Sequence, residues 1–294
     1  MTFLDVKHQC IDLRARAGQL MPAMTSSIDK RDCPLCGAPA GRAKPTPYGI
    51  AEFSVVQCGD CELAYLGRLP PQHEFEDERA WEVSSVSHAE QRGRDYPIMT
   101  ALHNSTRFRM HLRVLTKREP KRILARHVRP GPVVDLGCGA GINLIPPPEG
   151  FVPYGVEISK SAAAAADAAF HRYGGKCVQA AAVAGLAQFP KGFFHGAMLI
   201  GYIEHEFHPL DALVHLRAAL ADDATVVMKT PNYASLNRRV MAMRWSGFRF
   251  PDHVNYFTPD TLREIARRAG FSAHYRPIDR NPVSDSLWGL LRAA

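Results

Sequence analysis

Val133-Val134-Asp135-Leu136-Gly137-Cys138-Gly139-Ala140-Gly141 is an apolar run that ends through an acid and then turns on glycine at every second position. A short apolar run bounded by turn residues reads as a buried strand. Feeding such a loop, it lets backbone N–H groups approach a ligand where only glycine leaves room. The spacing discriminates among ligands. A dinucleotide fingerprint, Gly-x-Gly-x-x-Gly, needs its last glycine at 142 or 144, where Ile142 and Leu144 stand. Bound pyrophosphate also wants a helix N-terminus, and Pro146-Pro147-Pro148 stops any helix after about one turn. Glu157 closes the next strand signal, twenty positions beyond Gly137, where a carboxylate can accept hydrogen bonds from ribose hydroxyls. The loop excludes a dinucleotide and keeps the ribose partner.

Outward from this loop, strand and helix signals alternate. Strands are expected at 133–136, 152–157, 176–180, 196–200 and 224–229, and helices at 161–173, 209–220 and 259–269. Segments 271–278 and 286–291 are candidates for further strands. Such alternation predicts an α/β fold: a Rossmann-like, mostly parallel sheet with helices on both faces. Upstream, residues 97–128 carry apolar residues at mostly helical spacing, divided at Pro120.

Asp135-Leu136-Gly137-Cys138-Gly139-Ala140-Gly141 resembles the first motif of class I S-adenosylmethionine-dependent methyltransferases, and Gly155-Val156-Glu157-Ile158-Ser159 resembles their second. Gly201-Tyr202-Ile203-Glu204-His205 is similar to the segment after their fourth strand, and Lys229-Thr230-Pro231-Asn232 to the end of their fifth. Trp245-Ser246-Gly247-Phe248 and the stretch from Asp252 to Pro259 are similar to an insert and the approach to the next helix in one broad subgroup. The resemblance spans about residues 100 to 275. It implies S-adenosylmethionine as cofactor. Gly137, Gly139 and Gly141 would carry its amino-acid portion, with Asp135 supporting the loop. Glu157 would hold the ribose, and Ile158 would pack on adenine. Gly201 and Tyr202 would line the other side. Three departures stand out. Gln179-Ala180-Ala181-Ala182 replaces an acid that often meets the adenine amino group, leaving Gln179 or the backbone for that contact. Phe194-His195 replaces Phe-Asp, and the proline triplet replaces the back half of the first helix.

Methyl transfer from a sulfonium is an in-line displacement, so alignment supplies much of the catalysis, and an oxygen, nitrogen or carbon nucleophile can also need a base. Histidine suits that task near neutrality. Of thirteen histidines, His205 lies just past the fourth strand and His253 in the loop before the 259–269 helix. These two are the candidate bases. Each also has a plainer reading, as a pocket-shaping residue and a lid contact respectively. Trp245, Phe248, Phe250 and Tyr256 form an aromatic set that suits either an apolar pocket wall or core packing.

Seven cysteines in a chain without a secretory h-region argue against a disulfide framework. Cys33-Pro34-Leu35-Cys36 and Cys58-Gly59-Asp60-Cys61 are two knuckles separated by 21 residues. Four thiolates on two tight turns make a closed tetrahedral Zn²⁺ site, structural rather than catalytic. The expected organisation is an N-terminal segment 1–30 with a candidate short helix, a zinc ribbon 31–69, a connector 70–96 and a cofactor-binding domain 97–294. A ribbon ahead of such a core resembles enzymes that modify sugars or other small molecules.

The formal charge is +7, but the basic residues are scattered and acids offset those of the ribbon, so a small-molecule acceptor is favoured over nucleic acid. No stretch approaches the roughly 20 apolar residues of a membrane span, and a cytoplasmic location is expected. An RNA or protein methyltransferase that uses the ribbon for recognition, or a non-catalytic S-adenosylmethionine-binding protein, stay open as alternatives.

Overall fold

The computed structural model describes residues 31–69, 119–276, 282 and 284–294. The expected N-terminal helix, the connector 70–96, the helical stretch as far as 118 and the tail of the 271–278 strand lie outside them.

A seven-stranded sheet forms the centre. In chain order its strands are β4 (Gly131–Leu136), β5 (Phe151–Glu157), β6 (Lys176–Gln179), β7 (Phe194–Ile200), β8 (Leu220–Pro231), β10 (Phe271–His274) and β11 (Ser286–Ala293). Their spatial order is β10-β11-β8-β7-β4-β5-β6, parallel from β8 to β6, with β11 and β10 added antiparallel. Successive side chains take opposite faces. Val134, Leu136, Ala197, Leu199, Val226 and Met228 join one apolar cluster, and Val133, Met198 and Val227 the other.

Helices α1 (Pro120–His127) and α2 (Lys160–His171) cover the second cluster through Leu124, Ala166 and Phe170. Helices α3 (Ala182–Leu186), α4 (Pro209–Ala219) and α6 (Pro259–Arg268) cover the first. Local chemistry sets the helix starts. Ser159 caps α2 by accepting from the Ala162 N–H, and Thr258 and Thr261 form a reciprocal capping box ahead of Pro259. A short helix α5 (Leu236–Met241) begins the insert. Strand β8 is longer than its hydrophobic pattern: Leu220 pairs with Phe194 before the register shifts to Thr225 opposite Gly196, which leaves Asp222 and Asp223 outside the ladder.

The N-terminal cysteine region forms a second sheet. Strands β1 (Ala43–Ile50), β2 (Phe53–Cys58) and β3 (Ala64–Leu66) are antiparallel neighbours. The fourth strand is supplied by the insert: β9 (Asn255–Tyr256) pairs with β3, Ala64 opposite Tyr256 and Tyr65 opposite Asn255. The ribbon is stitched to the insert in other ways as well. Leu35, Leu63 and Tyr65 share a core with Leu262 and Ile265 of α6. Val55, Ala64 and Leu66 pack with Tyr233, Trp245, Phe248, Val254 and Tyr256. No helix among the described residues is long and apolar enough to cross a membrane.

Candidate active site

A cavity of about 660 Å³ opens where the parallel strands end. At one end the chain leaves β4 through the glycine loop. Gly137 has φ +65°, and a Cβ there would stand 2.6 Å from the Tyr202 ring, so close packing and backbone sign both require glycine. Gly139 has φ +52° and faces open space. Glu157, at the end of β5, spans the turn: Oε2 accepts from the Gly139 N–H at 2.8 Å and Oε1 from the Ser159 N–H at 2.9 Å. The carboxylate is thereby fixed at the cavity wall, which Ile158, Gly201 and Tyr202 also line. No helix follows the glycine loop; residues 138–150 are turns, as the proline triplet requires.

Three residues expected to meet the cofactor are not on the cavity wall. Asp135 is buried beneath the loop, and neither of its carboxylate oxygens has a hydrogen-bond partner among the described residues. Burial first, then the Glu157 charge, holds its pKa well above the ordinary carboxylate range. The loop amide of Gly139 is held by Glu157 instead. Gly141 turns toward the protein interior, where a Cβ would press on Phe170 at 2.7 Å. Gln179 lies on the edge strand β6 with its side chain exposed, and Ala180, Ala181 and Ala182 take the wall position. An edge strand has free space on its outer side, so a long polar side chain there turns to solvent.

The rest of the cavity is lined by Glu204, His205, Glu206 and Phe207 after β7, by Ser246, Gly247, Arg249 and His253 of the insert, and by Asp285 before β11. The sequence-predicted pair comes together: the rings of His205 and His253 meet edge to face, centroids 4.6 Å apart. His205 Nδ1 bonds the Asp252 carbonyl at 2.9 Å and His253 Nδ1 the Gly247 carbonyl at 2.8 Å. A carbonyl only accepts, so each Nδ1 carries a hydrogen. Burial holds His205 down at about 4, neutral at physiological pH. Glu204 is 3% exposed, its Oε2 has no hydrogen-bond partner within bonding distance among the described residues, and burial raises its pKa to about 7. The Tyr202 hydroxyl donates to Glu206, and its pKa is raised well above the usual value by burial and by that carboxylate.

Sequence reasoning assigned no role to Glu204, Glu206, Arg249 or Asp285. Glu204 had a usable signal, since it precedes His205 just past a parallel strand. Arg249 and Asp285 reach the cavity only through the insert and the last strand, which no local pattern announces. The aromatic set divides the other way. Trp245, Phe248, Phe250 and Tyr256 are absent from the cavity wall and pack against the ribbon.

The ribbon also braces this end. Arg31, two residues ahead of the first knuckle, donates to the carbonyls of Phe207 and Val254 and lies over the Tyr65 ring. Asn255 donates to the carbonyls of Ile203 and Glu206 at 3.0 and 2.7 Å. Cys33, Cys36, Cys58 and Cys61 converge, their sulfurs within 4.8 Å of one another, with Cys33–Cys61 and Cys36–Cys58 both at 3.5 Å.

A parallel sheet with this strand order, an antiparallel edge pair and a ligand cavity at the strand ends defines a Rossmann-like methyltransferase fold. Residues 108–275, more than half of the chain, match the family described as Methyltransferase domain. The chain belongs to that family and is an S-adenosylmethionine-dependent methyltransferase. No curated protein matches it. Among solved structures it is similar to the CcbJ methyltransferase of Streptomyces caelestis, with 19% identity and a TM-score of 0.50 over 60% of this chain and 94% of that one. It is also similar to 1,6-didemethyltoxoflavin-N1-methyltransferase of Burkholderia thailandensis, solved with 1,6-didemethyltoxoflavin and S-adenosylhomocysteine, with 18% identity and a TM-score of 0.47 over 86% of this chain and 100% of that one. At such identities the likeness is one of fold.

Proposed function

We propose that this protein methylates a small molecule, with cofactor and acceptor at opposite ends of the one cavity. The observation that carries the reading is that one cavity is lined both by the glycine loop with Glu157 and by His205 with His253. The open space over Gly139 suits a ligand backbone, and Glu157 suits the ribose. Gly137, Ile158, Gly201 and Tyr202 complete that half. Bound there, S-adenosylmethionine would supply a sulfonium methyl whose carbon the acceptor atom attacks in line, the carbon–sulfur electron pair leaving with sulfur. The acceptor atom must also give up a proton. His205 and His253 present rings fixed through Nδ1 at the acceptor end, and we assign to them the activation of the nucleophile. Asp135, Gly141 and Gln179 act from behind this wall: Gly141 through packing on Phe170, Asp135 as the buried end of β4, and Gln179 only if its side chain turns inward.

The four cysteines fit Zn²⁺: four sulfurs from two tight turns, converging around one point, leave no position for substrate. The metal's role there is structural, and Cys33, Cys36, Cys58 and Cys61 hold it. Calorimetry with S-adenosylmethionine, followed by transfer of labelled methyl to a panel of hydroxylated and amino small molecules, tests the reading. Micromolar cofactor binding is expected. Absence of binding at millimolar concentration overturns it. Metal analysis of the purified protein is expected to find about one zinc per chain held by thiolates.

A further inference from the structure

Glu204, His205 and His253 are used above only as wall and activating groups, but together they form a second converging set. One ligand atom from each lies within 4.8 Å of the others, all three residues line the cavity, and none belongs to the cysteine cluster. The geometry points to a divalent transition-metal site at the acceptor end, built from two imidazoles and one carboxylate and open toward the cavity.

Four observations support it. The residue types are the His₂-carboxylate set that holds catalytic zinc or non-haem iron with positions left open. Both imidazoles donate Nδ1–H to a backbone carbonyl, at 2.9 and 2.8 Å; such an outer hydrogen bond fixes the tautomer and aims Nε2 as a ligand. The Glu204 Oε2 is buried and has no hydrogen-bond partner within bonding distance among the described residues, a costly condition that a cation relieves. The spacing is also close to what a metal needs. Bonds of about 2.1 Å in a tetrahedral site put ligand atoms about 3.4 Å apart, and the three ligand atoms already lie within 4.8 Å of one another. Two cations act on Glu204 from the cavity wall, Lys229 and then Arg249; Arg249 lies 3.8 Å from the Asp252 carboxylate, which offsets its charge.

This inference rests on the reading of the cavity as a methyl-transfer site and names the agent of activation there. It favours an oxygen acceptor. A hydroxyl oxygen fills the open position, and the cation lowers its pKa. Its proton leaves to water, the oxygen forms the bond to the methyl carbon, and the methyl–sulfur bond breaks with its electron pair on sulfur.

The test titrates the protein as purified, its thiolate site filled, with Co²⁺ alone, reading heat and visible absorption. One further equivalent is expected, with bands of a nitrogen–oxygen site and no thiolate charge transfer. His253→Ala and the isosteric Glu204→Gln should weaken it by more than the roughly 10- to 100-fold that loss of an outer hydrogen bond to a ligand costs. His171→Ala, on the exposed face of α2, should leave it unchanged. Circular dichroism and S-adenosylmethionine affinity verify that each variant is folded. No further equivalent in the wild type, or equal binding in both cavity variants, overturns the site. Because Co²⁺ is read without turnover, a filled site in a protein that binds no cofactor sinks the methyl-transfer reading and leaves the metal site standing.

Discussion

The two ends of the cavity are built over different lengths of chain. At the cofactor end, Gly139 and Glu157 are joined across 18 residues, inside one strand–turn–strand unit. At the acceptor end, Arg31 and Val254 are joined across 223. His205 comes from the turn after β7, His253 from the insert, and the strand next to His253 is paired to the ribbon. The first end is a property of a short segment. The second exists only when three distant segments are assembled, so its integrity should depend on the cysteine site far more than the cofactor end does.

The largest expected effect tests that dependence. Cys58→Ser, or removal of the metal, should cost several kcal/mol of stability, a fraction of the about 10–16 kcal/mol of apparent zinc binding in small metal-folded domains. Thermal unfolding and Trp245 fluorescence should both report loss of the ribbon–insert packing. If both stay at wild-type values, the two ends do not differ in the way described.

Gly137→Ala breaks the other end alone. The left-handed backbone costs about 1–2 kcal/mol and the overlap with Tyr202 about 1–3. S-adenosylmethionine affinity should fall about 100-fold, which is about 3 kcal/mol, while ribbon metal content stays constant. Arg31→Ala should do the reverse. It removes a buried guanidinium and leaves the Phe207 and Val254 carbonyls short of a donor, for about 2 kcal/mol of stability, with cofactor affinity preserved. Calorimetry and chemical denaturation of the two variants side by side separate the ends. A smaller effect is expected from Glu157→Gln, which keeps the shape and removes the charge: about tenfold weaker cofactor binding, in line with one charged hydrogen bond.

The smallest concerns α6, the helix beneath the ribbon. Arg267 and Arg268 hold the partly exposed Glu264 carboxyl down at about 2. A depressed carboxylate pKa contributes stability above the unfolded value and loses it as pH falls toward 2. At such an exposed site Glu264→Gln should change stability by less than about 1 kcal/mol at neutral pH. A larger change would mean that the seat of the ribbon is electrostatic rather than apolar.

How much was legible follows the same division. The five parallel strands, three covering helices and glycine loop could be read because each depends on neighbours in sequence: hydrophobic runs, caps and prolines. β11 was expected over 286–291 and runs Ser286–Ala293, extended by its pairing with both β8 and β10. His205 and His253 were singled out separately, on position after a strand and before a helix. Their contact, the addition of Glu204 and the role of Arg31 were not legible, since no local pattern encodes which carbonyl a distant guanidinium will reach. The aromatic residues of the insert show the limit well. Their composition suited a pocket wall as much as a core, and it was the strand pairing of β3 with β9 that turned them toward the ribbon.

The sequence by itself determined the parallel strands, the glycine loop with the acid that closes the next strand, and the pairing of two cysteine knuckles. These are set by periodicity, steric allowance for glycine and ligand spacing, all short-range physics. Only the tertiary structure decided that the ribbon completes a sheet with the insert, that Asp135, Gly141 and Gln179 stand behind the cavity wall, and that Glu204 converges with two histidines. Those outcomes depend on which buried surfaces close against one another, a choice made by the whole assembled core rather than by any one stretch of chain.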